Sequence, residues 1–412
     1  MVQEMKLTLI SGIAALALFS GCGGYDHENE NVVGSNLIID AETFNPEVNL
    51  TKAQIQAALD AKAQATGTTH QTALLGLKSY KIDYKTHDSD GSEIIASGLI
   101  TIPAITPEFM QAYKAQTGTD FSLSIVSDQH GTIFENSEAP SVAASTTHMP
   151  DTLATAFSAV AGFMTVQPDY IGFGDSNDTF HPYIVEKPSA NATVDMIKAA
   201  IAFANDAGLP INGQIFLSGY SEGGYVTMAA AKEIQEHEKD LHLMAVAPMA
   251  GPYDVEKMAL GALNAPMMAF PPFLADVVYS YAETYSDVTL DEVVNAPYAA
   301  MLKTLFDGKH SGEQIFMALP NVYTVGQEPE KLFDAEFIAD FLTNENNTLR
   351  KRFTENSVID WKPEVPMKLY HCTNDLVVPY QMSQLAYSSF QQQGAQSVTL
   401  VGIYSVEANA SN

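Results

Sequence analysis

Between Ile215 and Tyr225 the chain reads IFLSGYSEGGY, a serine with a glycine two residues to either side, after an apolar run. A serine hydroxyl becomes a nucleophile when a base takes its proton and donors receive the charge that forms on the attacked carbonyl. Glycine-flanked serines also occur in plain turns, so the surroundings decide. Here a strand is predicted to end and a helix to begin. Gly219 and Gly223 would let the two approach closely, lifting Ser221 above the sheet edge. The N–H of Glu222, at the helix start, would point toward an oxyanion.

The base needs an orienting carboxylate, expected after a late strand. LYHCTNDLVVP offers Asp375 there, although the same residue could cap a helix opening near Pro379 or close a turn. Asp254, in GPYD, is the runner-up acid, and capping of the following helix explains it well. A second oxyanion donor should come from the loop after an early strand. SDQHGTIF lies there, with Gly131 permitting close backbone approach and Thr132 supplying an N–H and a hydroxyl. His130 is out of order for a base and reads as a hydrogen-bonded structural residue. Asp169 and the glycines of PDYIGFGDS read as shaping the neighbouring loop.

The elements that must position these groups follow from periodicity. Residues 51–65 have helical spacing behind a Thr51 N-cap. SYKIDYKTH and EIIASGLITIP read as two strands joined by DSDGSE, an acidic turn without the further ligands of a calcium loop. From residue 121 strands alternate with helices: strands in FSLSIVSDQ, FMTVQPDY, GQIFLSG and LHLMAVAPMAG, helices over TLATAFSAVAG, about 189–206 and 221–236. The strands are near-continuous apolar runs, which predicts a mostly parallel sheet covered on both faces. The alternation stops at Gly251-Pro252 and resumes near Pro366 with MKLYHCTND, a helix over about 379–392 and SVTLVGIYSV. One α/β core over 51–251 and 361–412, carrying a helical cap over 252–360, fits better than two domains.

The 412 residues hold 20 Lys+Arg against 49 Asp+Glu, a formal charge of −29. That charge excludes nucleic acid and anionic lipid surfaces as partners. Arg350 and Arg352 are the only arginines, so bidentate carboxylate clamps are scarce. A salty or cold habitat and plain compositional drift explain the balance equally. No metal-ligand spacing and no cofactor motif is present. At the N-terminus Lys6 precedes a short apolar run ending in LFSGC, which predicts a signal peptide over 1–22 with lipidation of Cys22, although Phe19 departs from the usual aliphatic residue. Residues 23–50 read as a flexible tether, so the expected membrane contact is the lipid anchor alone. Cys372 is then left without a partner.

The string DQHGT … PDYIGFGDS … HPY … SGYSEGG … HCTNDLVVP, over about residues 70 to 405, resembles the exported α/β-hydrolases of the secretory-lipase type, related to fungal lipase A-like enzymes and bacterial esterases. The resemblance implies an α/β-hydrolase fold with Ser221 as nucleophile, Asp375 as acid, Thr132 and Glu222 as oxyanion donors and residues 252–360 as lid. It also implies a catalytic histidine on the loop after the last strand. The ten histidines end at His371, so the base is expected beyond Asn412, and no histidine is expected within reach of Ser221 Oγ. The expected function is hydrolysis of fairly apolar small-molecule esters or lipids, with Met267, Met268, Phe270, Phe273 and Tyr279 offering an apolar pocket or simply the cap's own core. A peptidase of the same fold and a lipid-anchored, non-catalytic binding protein are the alternatives.

Overall fold

The computed structural model describes residues 36–265, 270–319 and 331–404. Among them ten strands form one sheet: β1 (Leu37–Ile38), β2 (Val48–Leu50), β3 (Leu77–His87), β4 (Glu93–Pro103), β5 (Leu123–Gln129), β6 (Met164–Pro168), β7 (Ile211–Tyr220), β8 (His242–Met249), β9 (Met367–Cys372) and β10 (Val398–Ile403). The order is β1-β3-β4-β6-β5-β7-β8-β9-β10, with β2 also on β3. Pairings involving β1 to β4 are antiparallel, and those from β6 to β10 are parallel. The sheet is mostly parallel, as the strand–helix alternation predicts. Every residue of β6 and all but Ser124 of β5 are buried, as strands covered on both faces must be.

Local chemistry sets the helices. α1 (Lys52–Thr66) opens on a capping box between Thr51 and Gln54, buries Ile55, Leu59 and Ala63 at four-residue spacing, and stops at Gly67 with φ 67°. α2 (Pro107–Thr117) links β4 to β5, with Thr106 as its cap and no buried residue. α3 (Glu186–Asp206) and α4 (Glu222–His237) pack against each other and the sheet. Their small side chains, among them Ala199, Ala200, Ala229 and Ala230, let the backbones come close. The stretch expected as a helix over 152–162 is α-helical only over Thr152–Thr155, and widens to a π-turn over Ala156–Val160.

One expectation needs correcting. Residues 36–50 were read as tether because of their polar composition, yet they fold onto the sheet. Leu37 pairs with Tyr84, Val48 with Ser79, and Asn36 Nδ2 donates to Asp195 at 2.6 Å. Phe44 stacks on Phe203 at 5.2 Å. Together β1 and β2 cover the outer edge of β3, which would otherwise present unpaired backbone. Residues 1–35, with Cys22, lie outside the described residues.

Where the cap was expected, α5 (Val255–Asn264) and α6 (Pro271–Thr284) follow β8, with shorter helices up to Thr348–Glu355. α7 (Gln381–Gln392) then returns the chain to β10. DSDGSE is a hairpin turn whose Asp88 and Asp90 carboxylates accept the Ser89 and Ser92 amides at 2.6 and 2.8 Å.

Beneath the sheet edge Asp128 of β5 is fully enclosed. Its Oδ2 accepts Gln167 Nε2 at 3.2 Å, and the same amide donates to Asp151 Oδ2 at 2.5 Å. Burial, with the Asp151 charge adding to it, pushes the Asp128 carboxyl up to about 8. A folded pKa above the unfolded one stabilises at low pH, and that contribution drains away as pH rises from about 4 to about 8. Asp128→Asn keeps the acceptor for Gln167 and removes the ionisation. Urea midpoints at pH 5 and pH 8 should therefore show a smaller drop in the variant, the difference being on the order of a few kcal/mol. Equal drops in both proteins would show that Asp128 does not ionise on unfolding.

Candidate active site

Ser221 stands between β7 and α4 with φ 60° and ψ −121°, a conformation that side chains rarely adopt. The crossing is tight enough to demand glycine. A Cβ on Gly219 would meet Gly223 O at 2.2 Å, and one on Gly223 would meet Gln129 O at 2.0 Å. Gly224 is pressed against β8 in the same way, 2.4 Å from Met249 O. The turn is pinned by Ser221 N donating to Met249 O at 2.9 Å and by Gly224 N and Tyr225 N donating to Ser221 O. The N–H of Glu222 belongs to the first helical turn, which has no intrahelical acceptors.

The loop after β5 passes directly over this turn. Gln129 is in register with Gly219, and a Cβ on Gly131 would lie 3.1 Å from Tyr220 O and 3.6 Å from Ser221 Cβ. Thr132 follows, its hydroxyl 2.8 Å from the Tyr183 hydroxyl. His130 holds the loop down: its ring stacks on Tyr170 at 4.0 Å, Nδ1 faces Gly131 O at 2.8 Å and Nε2 faces Asp169 O at 3.4 Å. Tyr170 OH donates to His130 O in return. Asp169 is buried and accepts Ser141 N and the Ser97 and Ser141 hydroxyls, a structural role.

Asp375 follows β9, two strands from Ser221 at the same sheet edge. Its Oδ1 accepts the amides of Val377 and Val378 at 2.9 and 3.0 Å, which orients the carboxylate at the mouth of the turn. Burial and then the Asp375 charge raise the Tyr220 phenol next to the elbow. His371 is committed elsewhere, with Nδ1 on Ser383 Oγ at 2.7 Å and Nε2 on Val378 O at 2.8 Å, and burial lowers its pKa. Among the described residues, no histidine ring hydrogen-bonds to Ser221 Oγ. Asp254 caps α5, accepting Lys257 N at 3.0 Å, and burial raises its carboxyl. Cys372 carries a free thiol.

Two residues carry more than the sequence signalled. Glu222 is buried, and its Oε1 lies 2.7 Å from His181 Nε2, while His181 Nδ1 lies 2.7 Å from Ile171 O. Burial works most strongly against charge on that ring, but the Glu222 charge and hydrogen bond, with Asp276 and the Ile171 carbonyl, together outweigh it and the pKa is raised. From α6, Asp276 is buried beside them, its carboxyl pushed up to about 8 by burial. The HPY string held the only sequence signal, and 41 residues separate His181 from Glu222. A cavity between Ile133, Phe134, Phe173, Asp276, Tyr279 and Phe306 adjoins the loop of Thr132. Phe270 and Phe273 pack on each other at 4.6 Å and on Phe134, so they build the wall of the cap rather than an open pocket. Met267 and Met268 lie outside the described residues.

A strained serine at a sheet edge, with a glycine loop over it and a carboxylate two strands away, is the arrangement of the α/β-hydrolase class. The comparisons agree. The profile of the secretory lipase family matches residues 138–410, and the chain belongs to that family. The crystal structure of the rice cell wall degrading esterase LipA from Xanthomonas oryzae superposes with a TM-score of 0.76 at 27% identity, covering 90% of each chain. Candida antarctica lipase A, at 18% identity, TM-score 0.60, and 90% and 79% coverage, shares the fold. Lipase 6 of Candida albicans is 24% identical over 236 residues, 56% of this chain and 48% of the relative. The chain thus spans about half the length of that curated relative. The secretory family points to an exported protein.

The positive φ at Ser221 makes a prediction. Ser221→Gly relieves the strain and should stabilise the fold by about 1 kcal/mol. Gly223→Ala should destabilise it, because the new methyl meets backbone. Thermal melts of the two variants check both signs. A destabilised Ser221→Gly would mean that the turn is not strained.

Proposed function

We propose that this protein is a serine carboxylic-ester hydrolase acting through an acyl-enzyme on small, fairly apolar esters or lipids. The observation that carries the reading is the elbow: Ser221 at φ 60° with the Gly131–Thr132 loop packed against it. Ser221 Oγ attacks the ester carbonyl, and its proton passes to a histidine base. The oxyanion is received by the Glu222 and Thr132 amides. The alcohol leaves with that proton, and water then releases the acid by the reverse sequence. Asp375 orients the base. His130, His181 and His371 have their ring nitrogens committed elsewhere, and the family resemblance implies a base on the loop after the last strand. No cofactor enters this scheme. Export through the 1–22 segment and anchoring by a lipid on Cys22 complete the proposal, with no nucleic-acid partner.

A peptidase reading needs an ionised cap carboxylate for the substrate's ammonium group. Asp276, the buried candidate, holds its proton to about pH 8, which favours the ester reading.

Hydrolysis of p-nitrophenyl butyrate by the full-length protein tests the assignment. Ser221→Ala should lower kcat by about 10³-fold or more, and Asp375→Asn substantially. Asp254→Asn should stay within a few-fold, since that residue caps a helix. Undiminished turnover in Ser221→Ala would sink the reading. Turnover of aminoacyl-anilides without ester turnover would replace it with the peptidase.

A further inference from the structure

The residue after the nucleophile is an acid. Its amide sits where an oxyanion is to be received, and its carboxylate hangs from the same Cα. In a site that excludes water, a second negative charge so close would oppose the charge that develops on the substrate. Glutamate at this place therefore needs an explanation.

His181 supplies one. Its Nδ1 faces the Ile171 carbonyl at 2.7 Å, and a carbonyl can only accept, so that nitrogen carries hydrogen. Its Nε2 faces the Glu222 carboxylate, also at 2.7 Å. Two acceptors on the two nitrogens make the ring an imidazolium, shared with one buried carboxylate. Gly172 lets the backbone of His181 approach closely, since a Cβ there would meet His181 Cα at 2.6 Å, and the rings of Tyr170, Phe173 and Tyr183 surround the imidazole. The titratable groups facing it are Glu222 from α4, Asp276 from α6, Tyr170 and Tyr183 from the adjoining loops, and His130 on the far side of Tyr170.

We propose that His181 is a positioning residue of the oxyanion site: its imidazolium neutralises the Glu222 carboxylate and clamps the first turn of α4, so that the Glu222 amide meets the oxyanion with no opposing charge beside it. The proposal rests on Ser221 being the nucleophile and the Glu222 amide a donor. It adds that the acid at this position is tolerated only because it is paired. The balance at the ring agrees: burial disfavours its charge, and the Glu222 charge and hydrogen bond, with Asp276 and the Ile171 carbonyl, together outweigh burial.

Charge neutralisation makes a prediction that mere packing does not. In the full-length protein, His181→Gln leaves Glu222 unpaired. Its kcat on p-nitrophenyl butyrate should fall about tenfold or more, with KM within about threefold. Removing the carboxylate as well, in His181→Gln/Glu222→Gln, should recover at least half of that loss on a logarithmic scale. A double variant as poor as His181→Gln, or poorer, would overturn the proposal in favour of a packing role. The kcat of the unmodified protein should also decline as the His181 ring deprotonates at alkaline pH, and this limb should be absent from the double variant. Asp276→Asn should keep the limb; its loss there would move the effect to Asp276 and overturn the assignment.

A second readout separates this proposal from the one it rests on. In Ser221→Ala, the ring nitrogens of His181 observed by ¹⁵N NMR should both be protonated at pH 7. A neutral ring at pH 7 would overturn the charge argument even where Ser221 proves essential. A protonated ring together with undiminished hydrolysis in Ser221→Ala would leave the pairing intact and remove the nucleophile.

Discussion

A crossing in which strand β7 turns into helix α4 within one residue governs much of this molecule. The turn succeeds only because backbone meets backbone with no side chain between: Gly219 against Gly223, Gly223 against Gln129, Gly224 against Met249. Each of these contacts ties the turn to a different neighbour, namely its own helix, strand β5 and strand β8. The strained φ of Ser221 is held by three backbone hydrogen bonds rather than by its own preference. Shifting any one of these strands would relax the serine into an ordinary turn, so the register of the sheet and the exposure of the hydroxyl are one constraint.

The rest of the fold serves that crossing from both sides. Parallel strands buried on both faces give a rigid edge, and the loops after β5, β7 and β9 converge there, as ligand sites at the carboxyl ends of parallel strands do. His130 and Tyr170 brace the β5 loop by stacking and by paired hydrogen bonds to backbone carbonyls. The Asp375 loop is braced by two amides donating to its carboxylate. Above the edge, aromatic side chains of the cap meet Phe134, which follows directly from the Gly131–Thr132 loop. The helices after β8 thus meet the site at Phe134 and again at Asp276, which lies beside His181 and Glu222.

Much of this was legible from residue order. The apolar strands, their alternation with helices, the elbow glycines and the acid after β9 are local signals, each carried by a few neighbouring residues. What escaped was non-local. β1 and β2 are two and three residues long, and they exist because the edge of β3 offers pairing partners, which no composition of residues 36–50 announces. α2 passed unnoticed because it buries nothing, leaving only its Thr106 cap and Pro107 as signals. The His181–Glu222 pair joins a loop to a helix start, and no periodicity links them. Phe270 and Phe273 stack on each other and on Phe134, while Tyr279 also lines the cavity beside Asp276.

The buried carboxyls carry a consequence for the folded protein as a store of protons. At neutral pH the formal count of −29 treats every aspartate as ionised. Asp128 and Asp276, each near 8, keep their protons inside the fold, and the raised pKa of His181 adds to what is held. Unfolding near neutral pH therefore releases protons from these groups to the solvent. The heat of unfolding will accordingly depend on the ionisation enthalpy of the buffer that receives them. A chain so acidic on paper is less so when folded, and the missing charge lies beside and beneath the sheet edge that carries Ser221.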